Sequence, residues 1–551
     1  MSPIRTLALL SGVILLLQGA TGHCWAASYY VTTNGSDVNT GSVTNPWLTV
    51  THALAQVLPG DSVMVGEGQF SEWLAISTPV TLCGSDGYQP DNPPLSRHQS
   101  RTIFRPPSTN YPETALILVN TTNVVIQSLS IFGDADSNGV PDIQYGIYST
   151  YRPLNVNHCV ISNVAGYGIC SVGETPFPAP GDTDSVRGYF GYNLIKNITA
   201  TNVSLATGIL LQHTPATCEY NEIASVSGTT AYAGMYIASC YYTSNMTDWV
   251  TIDQNYFANC ATALWANKFG TDGEKINIAL NTVTNSVIGI RISGAHGQAL
   301  IENNHISVAG VTPSSNAIPA RGIWVQADYD PWNVAAFRTT DHLVSENTVV
   351  GSSTNADRSV GMLFEYDITP STTNNNGVRA SAMLNSVRKF DYGAYVASGT
   401  NDVSLPHDPL VDVELPHNDF VSNFSYGVFT TGSTNFVNAS SNWWGSTNGP
   451  GLPFSNPVST NVNYIPWSYF SMAFDFSAFK IGRISLVAGN GFQLAWASET
   501  GRTYRVYRTT NLPIGVWALL ATKAATAPSN SYTDTGSVHN VSAFYRISVT
   551  N

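Results

Sequence analysis

The segment Ile276-Asn-Ile-Ala-Leu-Asn-Thr-Val-Thr-Asn-Ser-Val-Ile-Gly-Ile-Arg-Ile-Ser293 decides the fold. It holds two short alternating pieces, Ile276-Asn277-Ile278 and Ile290-Arg291-Ile292. Alternation at period two marks a half-buried strand. The same grammar recurs: Asn-x-aliphatic, a short gap, then Gly-aliphatic-x-aliphatic. The Asn returns at Asn157, Asn193, Asn221, Asn255, Asn281, Asn304, Asn347, Asn385 and Asn418. The Gly returns at Gly168, Gly208, Gly234, Gly289, Gly322, Gly361, Gly393 and Gly427, with Ala263 once in its place. A unit of roughly 20 to 45 residues cannot bury its own apolar face and must stack on copies of itself. The strand spelling excludes helical repeats, which leaves an all-β, parallel solenoid whose function lies on its surface.

The repeat carries its own coordinate system. Residues one and three after each Gly are expected to point inward, and Ile290 with Ile292 is the pattern. Residues two after must then face outward: Cys170, Leu210, Tyr236, Trp265, Arg291, Trp324, Leu363, Tyr395 and Phe429. Stacked strands lie about 4.8 Å apart, so these form one column of aromatics with an Arg near its middle. An exposed aromatic column is costly unless something covers it, and flat rings in a row suit the apolar faces of sugars.

Polar residues follow at the strand ends. Gln326 and Glu365 fall four after their Gly, with Lys268, His296, Asp328 and Asp367 just beyond this position in their coils. Two chemistries can use such a set. A glycoside hydrolase needs a carboxyl pair, here Asp328 with Glu365 or Asp367. A polysaccharide lyase needs a cation to neutralise a uronate and a base to take a carbon-bound proton; Arg291 or a bound calcium supplies the first, Lys268 or His296 the second. Tyr236, Trp265, Trp324, Tyr395 and Gln326 are the candidate substrate-binding residues, and a polysaccharide, acidic or neutral, the candidate partner. The rival reading is a non-catalytic surface or adhesive protein whose column is covered.

A separate motif stands at Asp134-Ala-Asp136-Ser-Asn138-Gly139-Val-Pro-Asp142. Alternate side-chain oxygens with a Gly for the sharp turn resemble a calcium loop. Its twelfth position is Tyr145 rather than an acid, and Asp142 at the ninth is the candidate substitute. The competing reading is an Asx-rich turn.

Only 11% of the 551 residues are charged, and the formal net charge is −13. That excludes nucleic acid, which calls for clustered Lys and Arg. Arg5, the apolar run Leu7 to Leu17 and Ala26-Ala27 read as a secretory signal over residues 1–27. No membrane span is expected, and the chain reads as an exported monomer, secreted or on a bacterial cell surface. Of 7 cysteines, Cys24 falls near the end of the signal. Export permits the others to pair, but Cys159 and Cys260 fall near strand positions, where a free thiol packs as a small hydrophobe.

Residues 28–470 are expected to form the solenoid with an N-terminal cap, including a helix over Thr49 to Val57, a loop over residues 84–112 and a linker over Pro453 to Pro466. Residues 471–551 alternate at regular spacing and predict a small β-sandwich. Three stretches near the start, Tyr30-Val31-x-x-Asn34-Gly35-Ser36-Asp37, Pro46-Trp47-x-Thr49-Val50-x-x-Ala53 and Gly60-Asp61-x-Val63-x-Val65-x-x-Gly68, resemble the opening of right-handed parallel β-helix proteins of the pectin-lyase-like superfamily. Asn442-Trp443-Trp444-Gly445 with Gly449-Pro450 resembles their closing motif. The C-terminal segment resembles the fibronectin-like appendages of exported bacterial proteins. The resemblance implies the fold but no single chemistry, since the superfamily spans lyases, hydrolases, epimerases and proteins without known activity.

Overall fold

The computed structural model describes residues 26–85, 100–109, 115–151, 153–173, 187–200, 205–227, 231–240, 248–269, 275–294, 297–309, 319–327, 338–353, 357–366, 376–397, 411–431, 437–451, 456–468, 471, 481–487, 491–498, 502–509, 518–526, 529–535 and 544–550. Residues 276–293 run through one coil. Lys275–Ala279 lies in a first sheet, Thr282–Ser286 in a second and Ile288–Ser293 in a third, after which Gln298–Glu302 returns to the first. Repetition of this path gives sheets of 15, 12 and 12 strands among the described residues. Successive coils pair in parallel throughout, as Ile276↔Ala299 and Ile290↔Ile323 show. The fold is a right-handed parallel β-helix.

Burial follows the predicted phase. Ile169, Ile209, Met235, Leu264, Ile290, Ile323, Met362, Ala394 and Val428, each one after the Gly position, are all buried. So are Leu211, Ile237, Ala266, Ile292, Val325, Phe364 and Val396, each three after. The Gly itself is fixed by close approach. A Cβ on Gly322 would stand 2.2 Å from Val349 Cγ1 and 2.5 Å from the Gly361 carbonyl oxygen.

The Asn positions form a continuous buried ladder in the turn between the first and second sheets. The residue before each Asn takes a left-handed conformation, for example Gln254 (φ 54°), Leu280 (φ 56°) and Asn303 (φ 55°). That sharp turn leaves backbone groups which the Asn side chains satisfy. Asn281 Oδ1 accepts from the Asn255 backbone N at 2.9 Å and from Asn255 Nδ2 at 3.0 Å. Asn281 Nδ2 donates to the Ile252 carbonyl at 2.9 Å, and its backbone N to Asn304 Oδ1 at 3.0 Å. Asn157 is a correction. It closes the strand Leu154–Asn157, the left-handed residue is His158, and Cys159 holds the ladder position, donating its backbone N to Asn193 Oδ1 at 3.0 Å.

The ends are closed as the sequence suggests. The helix Val50–Gln56 has Thr49 as N-cap, accepting from the His52 N, and buries Val50, Ala53 and Leu54. At the far end Trp444 is fully buried and stacks on Phe420 at 5.6 Å. Two expectations need correction. Residues 84–112 are not all loop, because Thr102–Arg105 is a strand of the second sheet. Pro453 to Pro466 is not a simple linker: Val458 bridges to Val428, and Val462–Asn463 is the last strand of the first sheet. Backbone pairing there offsets the weak strand propensity of a Pro-rich stretch.

Beyond the coil, two three-stranded antiparallel sheets share one small core of Leu494, Trp496, Tyr504 and Val506, as expected of a sandwich. Cys83, Cys159, Cys170, Cys218 and Cys260 are free thiols. Burial pushes the Cys159 and Cys260 thiols up to about 12, consistent with packing rather than reactivity. Among the described residues no helix is long and apolar enough to cross a membrane.

Asn281→Ala orphans the Asn255 backbone N and the Ile252 carbonyl inside the turn. At about 1–3 kcal/mol per buried group left unpaired, the thermal midpoint is expected to fall by several degrees. Replacing Asn277, an outward residue of the same coil, by Ala is expected to leave it nearly unchanged. Differential scanning calorimetry of the two variants checks this.

Candidate functional site

The predicted column exists in register. Tyr148, Cys170, Leu210, Tyr236, Trp265, Arg291, Trp324, Leu363, Tyr395 and Phe429 are successive partners across the third sheet. At its centre Arg291 is clamped between two indoles, with its Cζ 4.4 Å from the Trp265 ring and 4.1 Å from the Trp324 ring. A guanidinium is flat and weakly hydrated, so it stacks on rings at little desolvation cost. Tyr236 continues the row, its ring 4.8 Å from Trp265.

The residues two further on line up beside the column as Asn267, Ser293, Gln326 and Glu365. Being two residues along, they share its face. They hold the rings in place. Trp265 Nε1 donates to Ser293 Oγ at 2.8 Å, Ser293 Oγ to Asn267 Oδ1 at 3.0 Å, and Asn267 Nδ2 to the Tyr236 hydroxyl at 3.0 Å. Arg291 Nη2 donates to Gln326 Oε1 at 2.9 Å, and Trp324 Nε1 to Glu365 Oε1 at 2.9 Å. Gln326 is buried, while Trp265, Arg291, Trp324, Glu365 and Tyr395 are half-buried. Cys170, Leu210 and Leu363 are buried despite their outward position.

Of the residues proposed for chemistry, Arg291 and Glu365 are brought to one face, two coils apart. Lys268 lies in the strand Thr262–Phe269, and its side chain is outside the described residues. His296, Asp328 and Asp367 also lie outside them.

Sequence reasoning missed a second aromatic column, formed by the residue before each Gly. Tyr145 stacks on Tyr167 at 5.0 Å and on Tyr148 at 4.8 Å. Tyr392 stacks on Tyr426 at 6.0 Å, and Phe429 lies 4.8 Å from the Tyr426 ring. Arg321 occupies the same position between Ile288 and Val360, where burial lowers its guanidinium to about 10. The signal was legible as Tyr-Gly-x-aromatic at Tyr145, Tyr392 and Tyr426. Both ends of the face therefore carry doubled aromatic patches, with the Trp–Arg–Trp clamp between them.

A second concavity of about 460 Å³ lies on the first sheet, walled by Gln298, Asp341, His342, Arg379, Asp412 and Glu414. Arg379 bridges Asp341 at 3.1 Å and Asp412 at 3.3 Å, all well exposed. No Trp, Tyr or Phe lines it among the described residues. We assign the candidate site to the aromatic face rather than to this charged groove.

No protein-family model matches the chain, and no curated protein matches it. Solved structures do. One described as XylC in complex with xylose is 11% identical with a TM-score of 0.44, covering 94% of this chain and 100% of its own. A family PL6 alginate lyase, AlyGC, is 11% identical at TM-score 0.44, covering 79% of this chain and 53% of its own. The A-module of the Azotobacter vinelandii mannuronan C-5 epimerase AlgE6 is 14% identical at TM-score 0.38, covering 76% of this chain and 92% of its own. At these values none of them bears on substrate or reaction.

His342 yields a pH prediction. It is buried, its Nδ1 accepts from the Ala299 N at 3.1 Å, and burial lowers its pKa to about 4. The folded state thus prefers neutral imidazole. The associated stability is fully present above pH ~6.5 and is lost as pH falls toward 4. Thermal midpoints are expected to decline through that window, and His342→Asn, whose amide oxygen still accepts from Ala299, is expected to flatten the decline.

Proposed function

We propose that this chain binds a polysaccharide, acidic in character, along the aromatic face of the third sheet. The observation that carries the reading is the row of half-exposed rings with Arg291 clamped between Trp265 and Trp324. Flat rings at strand spacing offer stacking surfaces for successive sugars. The clamped guanidinium, its two faces held by indoles and its Nη2 bonded to Gln326, sets a positive charge in the middle of the row. Export, read from residues 1–27, would place the face where such polymers occur.

Cleavage is the stronger form of the proposal. Glu365 stands on the face beside Trp324. Asp328 with Glu365 or Asp367 would be the carboxyl pair of a hydrolase. With Arg291 as neutralising cation and Lys268 or His296 as base, the same coils supply a lyase. The second reading, a non-catalytic surface or adhesive protein, draws on the burial of Cys170, Leu210 and Leu363, which shortens the open track.

Affinity electrophoresis against acidic and neutral polysaccharides tests binding. Trp265→Ala and Trp324→Ala are each expected to weaken it by about two- to tenfold, in line with roughly 0.5–1.5 kcal/mol per aromatic contact beyond burial. Binding unchanged in both variants, or absent for every polymer, overturns the proposal. In digests, new unsaturated ends identify a lyase and new reducing ends alone a hydrolase. Binding with neither product leaves the adhesive reading.

A further inference from the structure

The turn between Ser130–Phe132 of the second sheet and Tyr145–Ser149 of the third carries a group of carboxylates that the aromatic face does not use. Asp134, Asp136 and Asp142 each offer an oxygen within 4.8 Å of the other two. Asp134 is 3% exposed and Asp142 8% exposed. Asp134 Oδ2 accepts from the Gly139 N at 2.8 Å, but Asp134 Oδ1 is buried within the group with no hydrogen-bond partner. Among the described residues no ion pair reaches any of the three. Arg105 donates to the Asp134 backbone carbonyl at 2.7 Å and to Ser137 Oγ at 3.0 Å rather than to a carboxylate.

Two buried carboxylates held together without a counter-charge are expensive, and an unpartnered buried oxygen adds to the cost. The spacing answers this. Two ligands of one calcium ion lie at most about 4.8 Å apart, twice a calcium–oxygen distance of about 2.4 Å. We propose that this turn binds one calcium ion through Asp134, Asp136 and Asp142. Asn138 Oδ1 is a further ligand: it accepts from the Val140 N at 2.6 Å and retains a second lone pair. The loop is already shaped for it, with Ser137 at φ 60° and Gly139 at φ 85° making the tight bend. Asp142 takes the place of the missing acid at the twelfth position. The site is separate from the sugar track, although the turn it pins ends at Tyr145, the first ring of that face.

The test uses the full chain stripped with chelator and titrated with calcium chloride, read by scanning calorimetry and by equilibrium dialysis with radioactive calcium. The wild type is expected to take up calcium at this turn with a rise of several degrees in its midpoint, and magnesium to give little. Asp134→Asn and the exposed Asp136→Asn are each expected to weaken calcium uptake at least tenfold and to remove the rise. Asp412→Asn, an acidic change in the other groove, is expected to keep both. If Asp134→Asn does not fold, Asp136→Asn decides alone. A wild-type midpoint indifferent to calcium overturns the proposal. So does a calcium response that survives Asp136→Asn.

Discussion

From Asn193 onward, successive coils are held in phase by hydrogen bonds that one buried amide per coil makes to the coil before it. From Asn193 to Asn442 each side-chain oxygen takes a proton from the backbone of its neighbour, while each side-chain N–H returns to a carbonyl below. A parallel sheet has no hairpin turns to set its register. A slip of one residue would turn the core outward and the rings inward. The ladder makes such a slip costly, because it would orphan a run of buried polar groups at once.

The surface inherits that order. Column residues become neighbours only because the coils superimpose, so the Arg291 clamp is a long-range product of local turns some thirty residues apart. The rings are then fixed individually. Trp265, Tyr236 and Trp324 each have their polar atom tied to the adjacent row, which lowers the entropy lost when a ligand meets them.

The phase of the coil was legible because its two signals are independent. The aliphatic pair around each outward residue and the Asn one turn away agree at nearly every rung, and both follow from period-two geometry. Asn157 misled because a strand-final Asn is indistinguishable in sequence from a ladder Asn until the left-handed residue, His158, is known. The aromatic column was readable for the same reason as the core. The second column was spelled only as Tyr-Gly-x-aromatic, because simple alternation puts the residue before a Gly on the inward side, whereas Tyr145, Tyr392 and Tyr426 stack on the outer aromatic face. The last coil was hidden by its prolines, although pairing with Val437 and Val428 places it in the helix. Chemistry is the least legible layer. Three of its six candidates, His296, Asp328 and Asp367, fall in sequence beyond the repeating Gly-aliphatic-x-aliphatic unit, where periodicity gives no coordinates.

Hydroxyl-radical footprinting with and without the bound polymer reads the central assertion residue by residue, because aromatic side chains report their own exposure. Protection confined to Trp265, Trp324, Tyr395 and the flanking Tyr392 and Tyr426 is the predicted outcome. Protection at the walls of the Asp341–Arg379 groove, with those rings equally reactive in both states, would contradict it.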